Sequence, residues 1–261
     1  MYLLLQLMRV TILQTDIIWG SPEENMEKAA KRIKEANGAD LYVLPEMWST
    51  GFATEPEGIA DETGTALNWM RNTAAEVQAA ICGSVSVKDG NHYVNRFYFV
   101  KPDKEYECYD KHHLFTYGHE DRFYQAGNRR TVVEYKGVRV LLVTCYDLRF
   151  PLWLGYRDDY DAIIVVANWP ENRQHAWEIL THARAIENQA YVIACNRIGK
   201  DQQCQYAGGS ALIDPYGKTV AEARHHAEDT IGGYIDMGLL SHFREKFPVL
   251  KEKDDYEIKT K

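Results

Sequence analysis

The sequence predicts a single α/β domain in which two β-sheets pack face to face and the helices lie outside them. Segments with the pattern of strands outnumber helical segments by about twelve to four or five. Strands and helices are mixed along all 261 residues, and no linker divides them. A doubly wound sheet would place a helix after nearly every strand, and its Gly-rich phosphate-binding turn does not occur. The GxSxG sequence of a generic α/β hydrolase is also missing.

Apolar runs, turn dipeptides and capping residues predict the individual elements. Ser21, Pro22 and Gly38 are typical of the start and the end of a helix. Pro102-Asp103 and Lys136-Gly137 each separate two strand-like segments and predict hairpins. The predicted helices are 22–37, 66–80 and 174–189, and the predicted strands are 9–16, 41–44, 81–87, 95–100, 105–109, 132–135, 138–144, 161–167, 191–196, 210–214 and 231–235.

Two helical segments carry apolar side chains. Residues 174–189 form the clearest predicted helix. Its apolar stripe consists of Ile179, Ala183, Ile186 and Ala190. Another helix is predicted to begin at Pro151, and its apolar residues are Leu152, Trp153, Leu154 and Tyr156. This second set suits the face of a homodimer and the protein core equally well.

Charge and cysteine content exclude several classes of protein. The net charge is -8 and Lys and Arg are not clustered, whereas a nucleic-acid-binding protein usually has a basic patch. The five cysteines form no CxxC pair, and an odd number argues against a disulfide framework, which favours the reducing cytoplasm. No apolar run approaches the roughly 18 to 20 residues of a membrane helix. We therefore expect neither a nucleic-acid nor a membrane partner.

Both ends of the chain are predicted to lie outside the domain, which we place at residues 9–250. The segment 1–8, MYLLLQLM, lacks the positive start and the small-residue cleavage site of a signal peptide. Met8 directly precedes the first predicted strand, so we expect the true start near Met8. The tail 251–261 is rich in charged residues and is predicted to be peripheral.

Cys145 is the first candidate for chemistry. It follows the apolar strand 138–144 and precedes Pro151, which predicts a strand-to-helix turn. Such a turn exposes a side chain and directs backbone N–H groups to one point, where an oxyanion could form. Its polar neighbours distinguish it from a buried structural thiol, the role expected of the other four cysteines, Cys82, Cys108, Cys195 and Cys204.

Three charged residues are the next candidates. Glu46 follows an apolar strand and Pro45, and its apolar surroundings would suit a general base for a thiol. Lys111 ends another predicted strand, and Glu120 lies nine residues later. Each of the three could equally be a solvated surface charge. The residue types alone leave both interpretations open.

The segments LPEMWSTGF, YDKHHLF and TCYDLRFP, in this order, resemble those of the nitrilase superfamily of carbon–nitrogen hydrolases. ANWP, ARAIENQAYVIACNR and GGSALIDPYG extend the resemblance, which covers residues 9–250. It implies a four-layer α-β-β-α sandwich of two mixed sheets, which agrees with the element counts. It also implies hydrolysis of a small-molecule amide by a homodimer or higher homo-oligomer, with no metal and no organic cofactor.

The resemblance assigns a role to each candidate. Glu46, Lys111 and Cys145 match the catalytic triad of the family, and Glu120 matches a further acidic residue whose spacing varies. Cys145 would form a thioester with the acyl group, and Glu46 would transfer protons. Lys111 and the backbone N–H of Tyr146 would stabilise the oxyanion.

The sequence looks most like the omega-amidase subgroup, because CYDLRFPLW, VANWP and ARAIENQAYV match it closely. The expected substrates are then short 2-oxo acids with a terminal amide, such as 2-oxoglutaramate or 2-oxosuccinamate. We expect Asn168, Trp169 and Arg173 to bind the substrate, with Arg173 at a helix start reading its carboxylate. Arg149 is a second candidate, but we expect it to hold the nucleophile turn through a buried ion pair.

Other functions remain open at this point. Another amidase of the superfamily could act on carbamoyl amines, deaminated glutathione or aliphatic amides. A Cys–His hydrolase could use one of the residues His112, His113, His175 and His182. A non-catalytic binding protein of the same fold is the third alternative. A zinc site is disfavoured because neither HExxH nor paired cysteines occur.

Overall fold

The computed structural model describes residues 7–258. Within this range the chain forms fourteen strands and five α-helices. The strands are β1 Leu7–Gln14, β2 Leu41–Val43, β3 Ala80–Asp89, β4 His92–Val100, β5 Tyr106–Asp110, β6 Val132–Tyr135, β7 Val138–Thr144, β8 Ala162–Ala167, β9 Tyr191–Asn196, β10 Ile198–Lys200, β11 Gln205–Ala207, β12 Ala211–Ile213, β13 Thr219–Glu222 and β14 Asp229–Asp236. The helices are α1 Pro22–Glu35, α2 Thr65–Val77, α3 Pro151–Leu154, α4 Gln174–Asn188 and α5 Met237–Lys246.

The strands form two six-stranded mixed sheets and a separate hairpin. The first sheet has the order β14-β1-β2-β3-β4-β5, and the second has the order β13-β12-β9-β8-β7-β6. In each sheet three central strands run parallel, β1-β2-β3 in the first and β7-β8-β9 in the second, and the flanking pairs are antiparallel. The hairpin consists of β10 and β11.

The helices cover the outer faces of the two packed sheets. One apolar cluster joins the inner faces of both sheets, and a second lies between the first sheet and the pair α1 and α2. Helix α4 packs on β9 and β12 of the second sheet. The predicted α-β-β-α sandwich is thereby confirmed. None of the helices within residues 7–258 is both long and apolar enough to cross a membrane.

The structure corrects the predicted N-terminal boundary and adds elements. The prediction for residues 1–8 lies mostly outside the described residues, but Leu7 and Met8 already belong to β1, and Met8 is completely buried. Four elements were not predicted: strands β10, β11 and β13 and helix α5. The three strands have only three or four residues, which is too short to show a period. Helix α3 is a single turn. In the tail, Tyr256 donates a hydrogen bond to the carbonyl oxygen of Leu152.

The predicted apolar stripe of α4 faces outward. Ile179 and Ile186 are 53% and 56% exposed, whereas the buried residues of the helix are Trp177, Thr181, Arg184, Ala185 and Asn188. The buried face is therefore mixed in polarity. Arg184 is tolerated there because its guanidinium donates two hydrogen bonds to the carbonyl oxygen of Leu148. Periodicity predicted the helix correctly, but the apolar stripe does not mark its buried face.

Strand β3 holds the loop that follows β2. The backbone N–H of Leu44 donates to the carbonyl oxygen of Cys82, and that of Trp48 donates to the carbonyl oxygen of Ser84. The Ser84 hydroxyl accepts a further bond from Met47 N–H at 3.0 Å. Gly83 allows this close approach, because a Cβ atom on it would lie 2.9 Å from both Leu44 Cβ and Trp48 Cδ1. The loop is thus fixed against the strand.

The substitution Gly83→Ala is expected to lower the free energy of unfolding by about 1–3 kcal/mol, the usual range for an overpacked core. The added methyl group would also meet the Leu44 carbonyl oxygen at 3.2 Å, and backbone atoms cannot move aside as a side-chain end can. Urea denaturation measures the change. A free energy of unfolding within about 0.5 kcal/mol of the parent would contradict this account of Gly83.

Candidate active site

The predicted catalytic residues come together where strands of the two sheets end. Glu46 lies shortly after β2, and Lys111 directly follows β5, both in the first sheet. Cys145 directly follows β7, and Asn168 directly follows β8, both in the second sheet. The site is therefore built across the interface between the sheets.

Lys111 is the centre of a buried cluster of charges. Its ammonium nitrogen lies 2.9 Å from Glu46 Oε1 and 2.9 Å from Glu120 Oε2. The side chains of all three residues are completely buried. Glu120 also accepts a hydrogen bond from the backbone N–H of Phe115 at 2.6 Å. The structure thus brings Glu46, Lys111 and Glu120 together and excludes the solvated-surface interpretation for each.

Burial and charge oppose each other within this cluster. Burial alone would lower the pKa of Lys111, but the negative charges of Glu120 and Glu46 outweigh it and raise the pKa well above its ordinary value. Burial raises the pKa of Glu120, and the Lys111 ammonium partly counteracts this effect. Lys111 is therefore a permanent cation at neutral pH. Its ammonium has three N–H donors and lies within hydrogen-bond distance of three carboxylate oxygens, one of Glu46 and two of Glu120.

Four donors orient Glu46. Asn95 Nδ2 and Lys111 Nζ donate to Oε1, at 2.8 and 2.9 Å. The backbone N–H of Asn168 donates to Oε2 at 2.8 Å, and Asn168 Nδ2 donates to the Glu46 carbonyl oxygen at 2.7 Å. Asn168, predicted as a substrate-binding residue, therefore fixes the candidate base directly. Oε1 accepts two of these bonds and Oε2 accepts one, so Oε2 can accept one further hydrogen bond.

Cys145 lies on a sharp turn. Its φ angle of 44° is in the left-handed region, which is rare for a residue with a side chain. A 3₁₀ turn, Cys145–Arg149, begins at this residue, and a capping box formed by Thr144 and Asp147 closes its start. Tyr146 is the second residue of the turn, where backbone N–H groups have no partner within the helix. The strand-to-helix turn predicted from the sequence is present.

Cys145 requires a base to ionise. Burial raises the pKa of its thiol well above the ordinary value, and the charge and hydrogen bond of Glu46 raise it further, while Lys111 lowers it. The thiol is therefore protonated at rest, with Glu46 as its hydrogen-bond partner. Transfer of that proton to Glu46 would create the thiolate beside the Lys111 ammonium. This arrangement fits a nucleophile activated at the moment of reaction.

A cavity of about 1020 Å³ opens at Cys145. Lys111, Tyr146, Asn168, Trp169 and Arg173 all contribute to its wall, as the sequence predicted for a substrate site. The wall also includes Phe115, Arg149 and Cys204. The cavity is larger than a short dicarboxylate monoamide, so its volume alone does not select such a substrate. Selection therefore depends on individual residues of the wall.

Three arginines line the wall, Arg122, Arg149 and Arg173, and none of them has a carboxylate partner among residues 7–258. The Arg173 guanidinium lies 5.2 Å from the ring centre of Phe115, and that of Arg149 lies 4.7 Å from the ring centre of Trp169. The buried ion pair predicted for Arg149 is therefore wrong. Arg184, which the sequence analysis did not single out, binds the nucleophile turn instead, at the carbonyl oxygen of Leu148.

The alternative assignments gain no support from the geometry. Among the described residues, none of His112, His113, His175 and His182 lines the cavity that contains Cys145. His112 Nδ1 contacts the Gly127 carbonyl oxygen, and His113 Nδ1 contacts Asp147. Cys82 and Cys195 are buried as predicted, Cys108 is half-buried, and all three lie outside the cavity wall. Cys204 differs from the expected buried thiol because it is part of the wall.

Asn95 is the main residue that sequence reasoning missed. It lies inside β4, is completely buried, and donates to both Glu46 and Glu120. The sequence did contain one signal for Asn95, a polar residue at an inward-facing strand position. Such a residue indicates polar partners nearby, because buried amides require hydrogen bonds. The sequence could not show which residues those partners are.

Comparison with known proteins agrees with this geometry. The family model of carbon–nitrogen hydrolases matches residues 9–245. The chain is 40% identical over 252 residues to the omega-amidase YafV of Escherichia coli K12, covering 96% of this chain and 98% of that protein. It is 37% identical to the 2-oxoglutaramate amidase of Bacillus subtilis 168, covering 95% and 98% of the two chains.

A solved structure shows the same fold. XC1258 from Xanthomonas campestris, a CN-hydrolase superfamily protein with an arsenic adduct in its active site, superposes with a TM-score of 0.94 at 36% identity. The alignment covers 97% of this chain and 99% of that one. Together with the family match, these similarities show that the chain belongs to the carbon–nitrogen hydrolase family of the nitrilase superfamily.

Proposed function

We propose that this protein is an omega-amidase that hydrolyses the terminal amide of a short 2-oxo dicarboxylate monoamide, with 2-oxoglutaramate as the leading substrate. The observation that carries the proposal is the buried Glu46–Lys111–Glu120 cluster beside Cys145, in a cavity where Arg149 and Arg173 have no carboxylate partner among the described residues. The names of the relatives from Escherichia coli and Bacillus subtilis support the choice of substrate.

Acylation begins with proton transfer from the Cys145 thiol to Glu46. The thiolate attacks the amide carbon, and the developing oxyanion accepts hydrogen bonds from Tyr146 N–H and from the Lys111 ammonium, which exchanges its longest carboxylate contact, at 3.1 Å to Glu120 Oε1, for the oxyanion. Such a donor is worth about 2.7–4 kcal/mol in the transition state. Glu46 then passes its proton to the amide nitrogen, the carbon–nitrogen bond breaks, and ammonia leaves the thioester.

Deacylation uses the same groups, with water in place of the thiol as the proton donor. Glu46 takes a proton from water, and the hydroxide attacks the thioester carbon while Lys111 and Tyr146 again hold the oxyanion. The carbon–sulfur bond breaks, and the Cys145 thiolate recovers the proton from Glu46. The net change is amide plus water to carboxylic acid plus ammonia. Glu120 keeps Lys111 in place throughout, because both of its carboxylate oxygens accept hydrogen bonds from the ammonium, at 3.1 and 2.9 Å.

We assign Arg173 to the carboxylate of the substrate. Its guanidinium lies in the cavity wall, and it directly precedes α4, where free N–H groups favour an anion. The backbone of Arg173 is fixed, since its carbonyl oxygen accepts a hydrogen bond from Trp169 Nε1 at 2.8 Å. Trp169 thereby serves the substrate site by holding the arginine. Arg149 remains the second candidate for the same role.

We propose that the protein forms a homodimer through the outer face of α4. Ile179 and Ile186 lie seven residues apart and are both more than half exposed, so they form one apolar stripe two turns long. Leu152, 60% exposed, and Val249, 40% exposed, lie beside the end of α4, since they line a groove with its residue Asn188. Contiguous apolar surface of this kind marks an interaction site, and a second copy is the commonest partner.

Cys145→Ala is expected to abolish amide hydrolysis while the protein stays folded, because no other group can form the thioester. Cys204→Ala is the matched control, since Cys204 lies in the same wall and should be dispensable. Ammonia release measures activity, and mass spectrometry of the trapped acyl-enzyme should locate the acyl group on the Cys145 peptide. Activity of Cys145→Ala within about tenfold of the parent would refute the mechanism.

Arg173→Ala is expected to reduce kcat/KM for 2-oxoglutaramate roughly ten- to a hundredfold, because a hydrogen bond to a charged group contributes about 1.5–3 kcal/mol. Pentanamide, an uncharged amide of the same chain length, should be affected little. Arg149→Ala is tested in parallel. A charge-selective loss in Arg149→Ala alone would transfer the role to Arg149, and equal losses on both amides would limit Arg173 to supporting the loop.

Ile186→Lys and Ile179→Lys are expected to shift the protein from dimer to monomer, because each places a charge in the buried centre of the interface. Light scattering coupled to size-exclusion chromatography measures the mass. Tyr234→Lys, at an exposed aromatic of β14 in the first sheet, is the control and should remain dimeric. If the parent is a monomer, or if both α4 variants remain dimers, the interface lies elsewhere.

A further inference from the structure

Asp147 is a buried carboxylate that the chemistry described so far does not use. It lies two residues after Cys145 and is completely buried. Its Oδ1 atom accepts bonds from the backbone N–H and from Nδ1 of His113, each at 2.8 Å. Its Oδ2 atom accepts from the Tyr109 hydroxyl at 2.7 Å and from Thr144 N–H at 3.2 Å. Four donors thus saturate the carboxylate.

Tyr109 extends the same network. Its hydroxyl accepts hydrogen bonds from His112 N–H and from Trp153 Nε1, both at 3.1 Å, and donates to Asp147. Burial raises the pKa of this phenol well above its ordinary value, and the Asp147 charge raises it further, so the hydroxyl keeps the proton it donates. The Tyr109 hydroxyl therefore has three hydrogen-bond partners.

Stacked rings enclose the network on both sides. The His113 ring lies 3.7 Å from that of Phe150 at an angle of 4°, and the His112 ring lies 3.7 Å from that of Trp153 at 8°. Phe150 and Trp153 belong to the segment after Cys145, whereas both histidines follow Lys111. The side chain of His113 is 22% exposed, and that of Asp147 is not exposed at all.

The network connects the two sheets at the catalytic centre. Tyr109 and His113 flank Lys111, which directly follows β5 of the first sheet. Thr144 and Asp147 flank Cys145, which directly follows β7 of the second sheet. Lys111 and Cys145 must keep a fixed separation, because the ammonium stabilises the oxyanion that forms on the carbon bound to sulfur. A misplacement of about 1 Å can cost a hundredfold in rate.

We propose that Asp147, bound by His113 and Tyr109, sets the position of Cys145 relative to Lys111, and that His113 is a positioning residue of the reaction. The inference rests on the proposed role of Cys145 as nucleophile. The Nδ1–H bond of His113 prevents rotation of the Asp147 carboxylate, which in turn holds the first turn after Cys145 through Thr144 N–H. His113 acts through Asp147 and touches no substrate.

Two substitutions separate the hydrogen bond from the ring stacking. His113→Phe keeps a flat ring against Phe150 and removes the Nδ1–H donor. His113→Asn removes the ring and keeps a donor, because its carboxamide nitrogen occupies the place of Nδ1. Alkylation of Cys145 by iodoacetamide, followed by peptide mass spectrometry, reports on the thiol without any assumption about the natural substrate. Cys204, in the same cavity wall, is the internal control.

In His113→Phe we expect Cys145 alkylation and kcat for amide hydrolysis to fall about tenfold, with KM changed less than about twofold. Cys204 alkylation and the melting temperature should stay close to the parent values. His113→Asn should recover most of both rates. Parent-like alkylation and kcat in His113→Phe would overturn the proposal, and so would equal losses in the two variants, which would assign the effect to stacking.

If His113→Phe does not fold, Tyr109→Phe replaces it, because this change removes the other side-chain donor to Asp147. The same loss of Cys145 alkylation is then expected, and a parent-like rate overturns the proposal. These outcomes differ from failure of the proposed function. If the proposed function is wrong, Cys145→Ala remains active. The alkylation rates of the parent and the variants would still report whether the position of the Cys145 thiol has changed.

Discussion

The structure depends on the ion cluster in which the Lys111 ammonium lies between the carboxylates of Glu46 and Glu120. Removing three charges from water costs several kcal/mol each unless they are paired and hydrogen-bonded. The ammonium pairs with both carboxylates, and Asn95 and the backbone of Asn168 and Phe115 supply further donors. Loss of the ammonium would leave two buried carboxylates without a counter-charge, so the surrounding elements are constrained to keep Lys111 in place.

The packing of two sheets converts this cluster into a catalytic site. The first sheet supplies the base and the ammonium, and the second supplies the thiol. Contacts across the interface fix their relative positions, from Asn168 to Glu46 and from His113 and Tyr109 to Asp147. The core between the sheets thereby serves stability and chemistry together.

Selection of the substrate is separate from this machinery. The proposed catalytic groups contact only the reacting amide, whereas the wall of the cavity carries Arg149 and Arg173, each beside an aromatic ring. A guanidinium without a carboxylate partner is suited to the carboxylate of a ligand. Differences in substrate preference between amidases of this fold can therefore arise in the cavity wall while the ion cluster stays the same.

The sequence by itself determined the fold class, most of the strands and the candidate catalytic residues, because apolar runs report burial and the three motifs keep their order along the chain. It also placed Cys145 on a turn, which the left-handed φ angle of this residue reflects. Tertiary structure alone decided the partners of buried polar groups, such as Asn95, Arg184 and Asp147, since those partners lie far away in sequence. It likewise decided the outward direction of Ile179 and Ile186 and the open position of Arg149. A helical period shows which residues share a face, but only packing against other elements determines which face is buried.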